Sequence, residues 1–282
     1  MRDRLTEKVI GTILFVFITV LSMSGRLYAD QTIYTVGVVP QFEVSRITKI
    51  WQPILEKISQ STGIQLQLKA SPGISEFEKQ FEAGKFDFAY MNPYHLIVAN
   101  EKQGYVPLVR DVGRNLYGII VVKKDSPVKT VKDLDGKTIA FPAPNALGAA
   151  LIPRADFENK FHIKINELYV KSHSSVYLNV LLGSADAGGG VQKTLLQQSG
   201  DIQNQLRILY KTIEVPPHPF VAHPRIDVNT RNKIMAAFLE LGASKAGIEM
   251  LQNIPIKKIG KTDIKEYAPL REMGLEKFYV KK

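Results

Sequence analysis

The sequence predicts an α/β protein of two lobes, each a mainly parallel sheet flanked by helices, joined by two hinge segments. Three observations carry this. Short β-branched apolar runs alternate with stretches of helical period along most of the chain. The 282 residues exceed what one domain of roughly 150 residues takes. Two segments break the alternation: a polar, glycine-containing one at 111–115, and one at 214–224 that carries four prolines. Two crossings imply one lobe built from both ends of the chain, 30–113 and 215–282, and another from its middle, 114–214. Paired links of this kind make a hinge.

Residues 32–39 form an almost continuous apolar run, the pattern of a parallel strand buried on both faces. Ile47, Ile50, Trp51, Ile54, Leu55 and Ile58 follow at helical spacing and make one apolar face, which Pro53 should kink or restart and Gly63 ends. Residues 64–69 read as the second strand, 75–83 as a short helix ending at Gly84, and 86–90 as a third strand. Asn92-Pro93 opens a helix over 93–101, with Asn92 as N-cap and Pro93 at the first helical position. Strands at 106–110 and 116–122 flank the first crossing. Asp125-Ser126-Pro127 turns the chain into 130–134, and 137–141 is the next strand. Beyond the elbow at Pro142-Ala143-Pro144-Asn145, a helix is expected over 146–160, a strand over 167–170 and a helix over 174–182. A strand at 185–188, a helix at 191–198 and a strand at 207–211 follow. From 228 onward the pattern is helical, with Ile234, Phe238 and Leu241 on one face.

The N-terminus reads as a secretory signal peptide over 1–29. Arg2, Arg4 and Lys8 precede an apolar run at 9–21, and Leu27-Tyr28-Ala29 places a small residue before Asp30. Thirteen residues rise only about 20 Å as a helix, short of the hydrocarbon slab of about 30 Å. An uncleaved anchor is the competing reading; either way the body lies outside the cytoplasmic membrane, in the periplasm. That body holds 33 basic and 25 acidic side chains, a net charge of +8. The basic residues are scattered, without a block that would bind nucleic acid, so no nucleic-acid partner is expected. The lack of cysteine excludes disulfides, thiolate metal sites, thiol nucleophiles and a lipid on an N-terminal cysteine.

No His-Glu-x-x-His, Gly-x-Ser-x-Gly or phosphate loop is present, and no nucleophile–base pair assembles, so no enzyme, cofactor or metal site is expected. His95 and His162 read as structural. His173 and His218 each fall just past a predicted strand, where open α/β sheets bind ligands. Gly188-Gly189-Gly190 reads either as main chain approaching a ligand or as a tight turn with positive φ. The elbow ends in Asn145-Ala146-Leu147-Gly148, a helix start whose unpaired N–H groups suit an anion.

Over residues 32–280 these features resemble type II periplasmic binding proteins, specifically the phosphate/phosphite/phosphonate-binding family of ABC transporters. The segment at 86–94 carries the resemblance, with the elbow and helix at 144–153 and His173 followed by Gly183-Ser184-Ala185-Asp186-Ala187-Gly188. It implies a solute-binding component of an importer that closes on a small oxyanion or compact polar solute and works with an ABC permease. The alternative is a sensing module that presents its ligand to a membrane kinase or cyclase. Implied ligand contacts are Tyr90, Asn92 and Tyr94 from the first lobe, then Asn145, the N–H groups of Ala146, Leu147 and Gly148, and His173 from the second, with His218 at the hinge. The hydroxyl run of phosphonate binders is replaced at Ala146, Leu147 and Gly148. His218 stands for a substrate-binding aspartate, and Lys193 falls near a second acid, which disfavours a cationic aminophosphonate. Were both histidines in the cleft, their protonation near pH 6.5 would tighten anion binding.

Overall fold

The computed structural model describes residues 32–254 and 256–281; the segment read as a signal peptide, 1–29, lies outside them. The chain starts with β1 (Ile33–Val38), α1 (Val44–Thr62), β2 (Gln65–Lys69), α2 (Ile74–Glu82), β3 (Phe88–Tyr90), α3 (Pro93–Gln103) and β4 (Val106–Asp111). It continues through β5 (Leu116–Lys123), β6 (Thr138–Phe141), a helix α4 in three successive segments (Leu147–Leu151, Ile152–Asp156, Phe157–Phe161) and β7 (Asn166–Tyr169). Then come α5 (His173–Leu182), β8 (Ala187–Val191), α6 (Gln192–Leu196), α7 (Gly200–Gln205) and β9 (Leu206–Val215). It ends with β10 (Pro219–Ala222), α8 (Val228–Ala243), α9 (Lys245–Gln252), β11 (Ile259–Lys261) and two 3₁₀ segments, Ile264–Met273 and Leu275–Lys277.

The strands form a six-stranded sheet, β11-β4-β10-β3-β1-β2, and a five-stranded sheet, β7-β6-β8-β5-β9. Both are mixed rather than mainly parallel. Only β1–β2, β1–β3, β6–β7 and β6–β8 pair in parallel. The chain path explains the rest. β4 and β9 each end at a crossing between the sheets, so β5 and β10 enter their sheets from that end and run antiparallel to their neighbours. Segments 112–115 and 216–218 are the crossings.

Helix α1 buries Ile47, Trp51, Ile54, Leu55 and Ile58 and stops at Gly63, which takes a left-handed φ of 73°. It runs unbroken through Pro53. Pro53 and Lys49 are both exposed, so the Lys49 carbonyl that loses its donor turns to water. The polar α7 and the three-residue edge strand β11 escape sequence reading because neither is long or apolar enough to show a period.

The three glycines 188–190 are neither a turn nor positive in φ; they lie inside β8. Their small size lets other elements press onto the strand. A Cβ at Gly188 would strike Val176 and Val180 of α5, one at Gly190 would strike Tyr177, and one at Gly189 would overlap the carbonyl of Ala149. A Cβ at Gly118 on β5 would likewise overlap the Gly148 carbonyl. The first turn of α4 therefore rests directly on the backbone of two strands. That turn is wound wide: the Ala146 carbonyl accepts from both Ala150 (2.7 Å) and Leu151 (3.1 Å), and Ile152 N–H reaches back to Leu147. Pro153 has no N–H for the Ala149 carbonyl, which favours the wide winding ahead of it.

Gly189→Ala should cost about 1–3 kcal/mol of stability or more, since backbone and not a movable side chain blocks the new methyl. Gly200→Ala, where nothing lies within 4 Å, should be neutral or stabilising by up to about 1 kcal/mol. Urea unfolding of both variants without added ligand checks the pair.

Candidate functional site

A cavity lies where the two sheets face each other, taking in about 290 Å³ when the open space at its mouth is included. Val39, Gln41 and Asn92 line it from the six-stranded side, and Ala146–Ala149, His173 and Val191 from the five-stranded side; His218, on the second crossing, completes it. Each element arrives for a local reason. Asn92 caps α3, accepting from His95 N–H at 2.8 Å, with Pro93 in the first turn. Ser172 caps α5 by accepting from Ser175 N–H at 3.2 Å, which fixes His173 as the first helical residue.

The first turn of α4 supplies the donors. The backbone N–H groups of Leu147, Gly148 and Ala149 precede the first intrahelical donor, Ala150 N–H, and have no protein partner among the described residues. All three residues are buried. Buried N–H groups without an acceptor are costly, so a ligand that accepts hydrogen bonds is well matched to this wall.

The histidines differ from the sequence-based expectation. His173 and His218 do line the cavity, but burial, with the positive charge of Lys193 second, pushes the His173 pKa down to about 3. The same causes, joined by His95 and His173, hold His218 well below its ordinary value. Neither ring protonates near pH 6.5, so anion binding cannot tighten through them there. His173 Nδ1 lies 3.3 Å from the hydroxyl of Thr194, which also contacts Tyr177 Oη (2.7 Å) and the Val191 carbonyl (2.8 Å). His218 stacks on Tyr90, with centroids 5.4 Å apart, and its Nδ1 is buried without a partner.

The cation of the cleft is Lys193, at the start of α6. Its ammonium donates to Tyr90 Oη across the two sides at 3.3 Å. Burial first, and Arg114 second, lower its pKa to about 8, while Asp111 acts the other way. Burial keeps Tyr90 as the neutral phenol.

Of the nine implied contacts, Asn92, Ala146, Leu147, Gly148, His173 and His218 share the cavity, and Tyr90 stands beside it. Tyr94 and Asn145 face elsewhere. The Tyr94 ring packs on Tyr279 at 5.5 Å. Asn145 donates through Nδ2 to the Val280 carbonyl (2.9 Å) and accepts at Oδ1 from Val280 N–H (2.8 Å). Its own carbonyl accepts from Asn92 Nδ2 at 3.2 Å, so the Asn92 amide is also engaged. The C-terminal segment thus occupies two side chains expected in the site. Sequence reasoning missed Val39, Gln41, Ile74, Ala149 and Val191 as lining residues; Gln41, just past the end of β1, is where the strand-end rule would have found it.

The chain matches the family model described as "ABC transporter, phosphonate, periplasmic substrate-binding protein" over residues 36–267. It is 21% identical over 229 residues to the Phosphate-import protein PhnD of Mycolicibacterium smegmatis, covering 73% of this chain and 71% of that one. It is 22% identical over 258 residues to the Phosphonates-binding periplasmic protein of Escherichia coli, covering 86% and 75%. Its structure resembles that of PhnD1 from Prochlorococcus marinus, solved in complex with methylphosphonate, with a TM-score of 0.77, 16% identity, and coverage of 88% of this chain and 99% of that one. At that identity the structural likeness is one of fold.

The buried histidines make a prediction about acid stability. Unfolding returns them to a pKa near 6.5, so below that pH the unfolded chain binds more protons than the folded one. Stability should fall as pH drops from about 6.5 toward the folded value of about 3 for His173, by up to about 1.4 kcal/mol per pH unit for each ring. His173→Gln should flatten part of that slope in urea titrations. In histidine NMR spectra both rings should show no titration step between about pH 8 and about pH 5; a step near 6.5 would mean that water reaches them.

Proposed function

This chain belongs to the phosphonate family of periplasmic substrate-binding proteins of ABC transporters, and on that premise we propose that it captures a small phosphonate-like oxyanion in the cavity between the sheets and hands it to a membrane permease. The carrying observation is the trio of buried, unpartnered N–H groups at Leu147, Gly148 and Ala149. They take over from the hydroxyl run of phosphonate binders as the oxyanion grip, aided by the partial positive charge of the α4 start. His173 lines the cavity as a neutral ring beside Thr194. Lys193 supplies the net positive charge.

The reading is one of binding without catalysis. The hydroxyl nearest an imidazole in the cavity wall, that of Thr194, is fully buried and engaged by Tyr177 and Val191, so it has no path to a substrate. Residues 30–113 with 215–282, and 114–214, are read as the two lobes, which part by bending at the two crossings and close over the anion. Residues 1–29 are read as the export signal that brings the body to the periplasm.

Two experiments test this. Leu147 is the first helical residue, where proline fits the backbone; the change removes the unpaired N–H together with the buried leucine side chain. Leu147→Pro should weaken methylphosphonate and phosphate binding by about 10- to 150-fold in calorimetry, the range for a hydrogen bond to a charged group, and ligand-free melting reports whether the fold survives. Unchanged affinity in a folded variant would remove the α4 start from the site. The second is the pH dependence of the wild-type advantage over Lys193→Met. Below the free-protein pKa of about 8 the ammonium is already charged and the advantage is flat. Above it a proton must be taken up on binding, so the advantage should fall by up to about tenfold per pH unit. Comparison with the variant cancels the ligand's own ionisation.

A further inference from the structure

A second compartment adjoins the anion cavity, sharing Val39 and Gln41 with it. It takes in about 350 Å³ when the open space at its mouth is included, and its walls are apolar: Phe42, Ile47, Ile50, Trp51 and Ile254, with the Tyr90 ring at the side. Trp51 is held rigidly, 4.8 Å from Tyr90 and 6.3 Å from Phe220 between ring centroids. The Arg46 guanidinium lies over Phe42 at 4.0 Å. The polar groups on the rim serve other bonds. Gln197 Nε2 donates to the Asn253 carbonyl at 3.0 Å, Arg46 donates to the Gln197 carbonyl at 3.2 Å, and Lys193 is bound to the Tyr90 hydroxyl. Those bonds join the two sides, so the chamber is formed by the cleft itself. Among the described residues, no carboxylate lines either compartment.

We propose that this chamber receives the organic arm of the ligand, a short uncharged alkyl or aryl substituent on the phosphorus, while the oxyanion end sits against the α4 start. The proposal rests on the oxyanion reading given above. Apolar walls in reach of a polar grip reward a ligand with the same division, because each methylene moved from water onto them contributes hydrophobic stabilisation. An ammonium-ended arm would lie near the like charge of Lys193, and the nearby acid, Asp111, is already engaged by Arg114 and by the N–H groups of Lys257 and Lys258. A carboxylate-ended arm would be desolvated among Trp51, Ile50 and Phe42.

The test is a calorimetric series on the wild-type protein with methyl-, ethyl- and propylphosphonate, followed by the chain-matched 2-aminoethyl- and 2-carboxyethylphosphonates. Trp51, the only tryptophan in the chain, reports chamber occupancy by fluorescence. Affinity should rise about fourfold per methylene from methyl to propyl, with a tryptophan signal that grows along the series. Both charged arms should bind at least about tenfold more weakly than propyl. In Ile50→Ser, a change on a half-buried position of α1, the propyl-to-methyl affinity ratio should fall toward one. Methylphosphonate binding as tightly as propylphosphonate, a charged arm binding more tightly than propyl, or an unaltered ratio in Ile50→Ser would each overturn the apolar chamber and leave the oxyanion reading standing. Silence of every phosphonate and of phosphate would overturn both.

Discussion

The site depends on one close approach: the first turn of α4 seated on the bare backbone of β5 and β8. Gly118 and Gly189 have no side chains, so the carbonyls of Gly148 and Ala149 come to rest against the strands. With the carbonyl side of the turn packed on the sheet, the N–H groups of Leu147 to Ala149 stay at the cavity wall. Pro153 supports the arrangement by denying the turn an ordinary α hydrogen bond, and the wide winding fits the strand surface. A helix that stood a normal packing distance of 8–10 Å from the strands, about the spacing between packed elements, would leave those donors hydrated and weak.

Burial then sets the electrostatics. A histidine on the surface is a pH-dependent cation, but these two, enclosed beside Lys193, are neutral polar groups through the physiological range. Beside the anion cavity the positive charge comes from the Lys193 ammonium, itself made easier to deprotonate by its enclosure, while Arg46 at the chamber rim is held by the Gln197 carbonyl. An anion relieves both strains: it accepts from unpartnered donors and neutralises a desolvated cation. A cationic solute would worsen the second. The apolar chamber beside Trp51 fits the same logic, since it offers a ligand dispersion and area rather than charge.

The two sides are linked across the cleft by individually modest bonds: His173 N–H to the Gln41 carbonyl at 3.3 Å, Arg46 to Gln197, Lys193 to Tyr90, and Asn92 to the Asn145 carbonyl. Each contributes about 0.5–1.5 kcal/mol net, a scale that a bound ligand can rival. The C-terminal segment adds a different link. It pairs through Val280 with Asn145, the residue just ahead of the donor turn, and through the Phe278 carbonyl with Arg154 of α4 at 2.9 Å. Position 145 is thereby a structural anchor of the elbow, held from outside the cavity.

The alternation of strands and helices, the two crossings, the α3 start at Asn92-Pro93 and the elbow before α4 were all legible locally, because periodicity, capping and proline chemistry act within a few residues. Both histidines were rightly placed at strand ends by the same logic. What escaped was whatever required knowing the neighbours. The three glycines read either as main chain approaching a ligand or as a tight turn, and proved to be a landing surface, since only the packed α4 and α5 reveal why a side chain is forbidden there. Strand directions followed from where each crossing enters its sheet, not from composition. Tyr94 and Asn145 were lost to the site because the C-terminal segment claims them through Tyr279 and Val280, the latter 135 residues beyond Asn145, contacts no local pattern encodes. Local pattern settled most of the elements, the family resemblance and the strand ends that could meet a ligand, while α7 and β11 carried too little of it. Tertiary structure decided which of those groups are charged, which are already bonded and which face the cavity, because desolvation and hydrogen-bond pairing depend on surroundings assembled from distant parts of the chain.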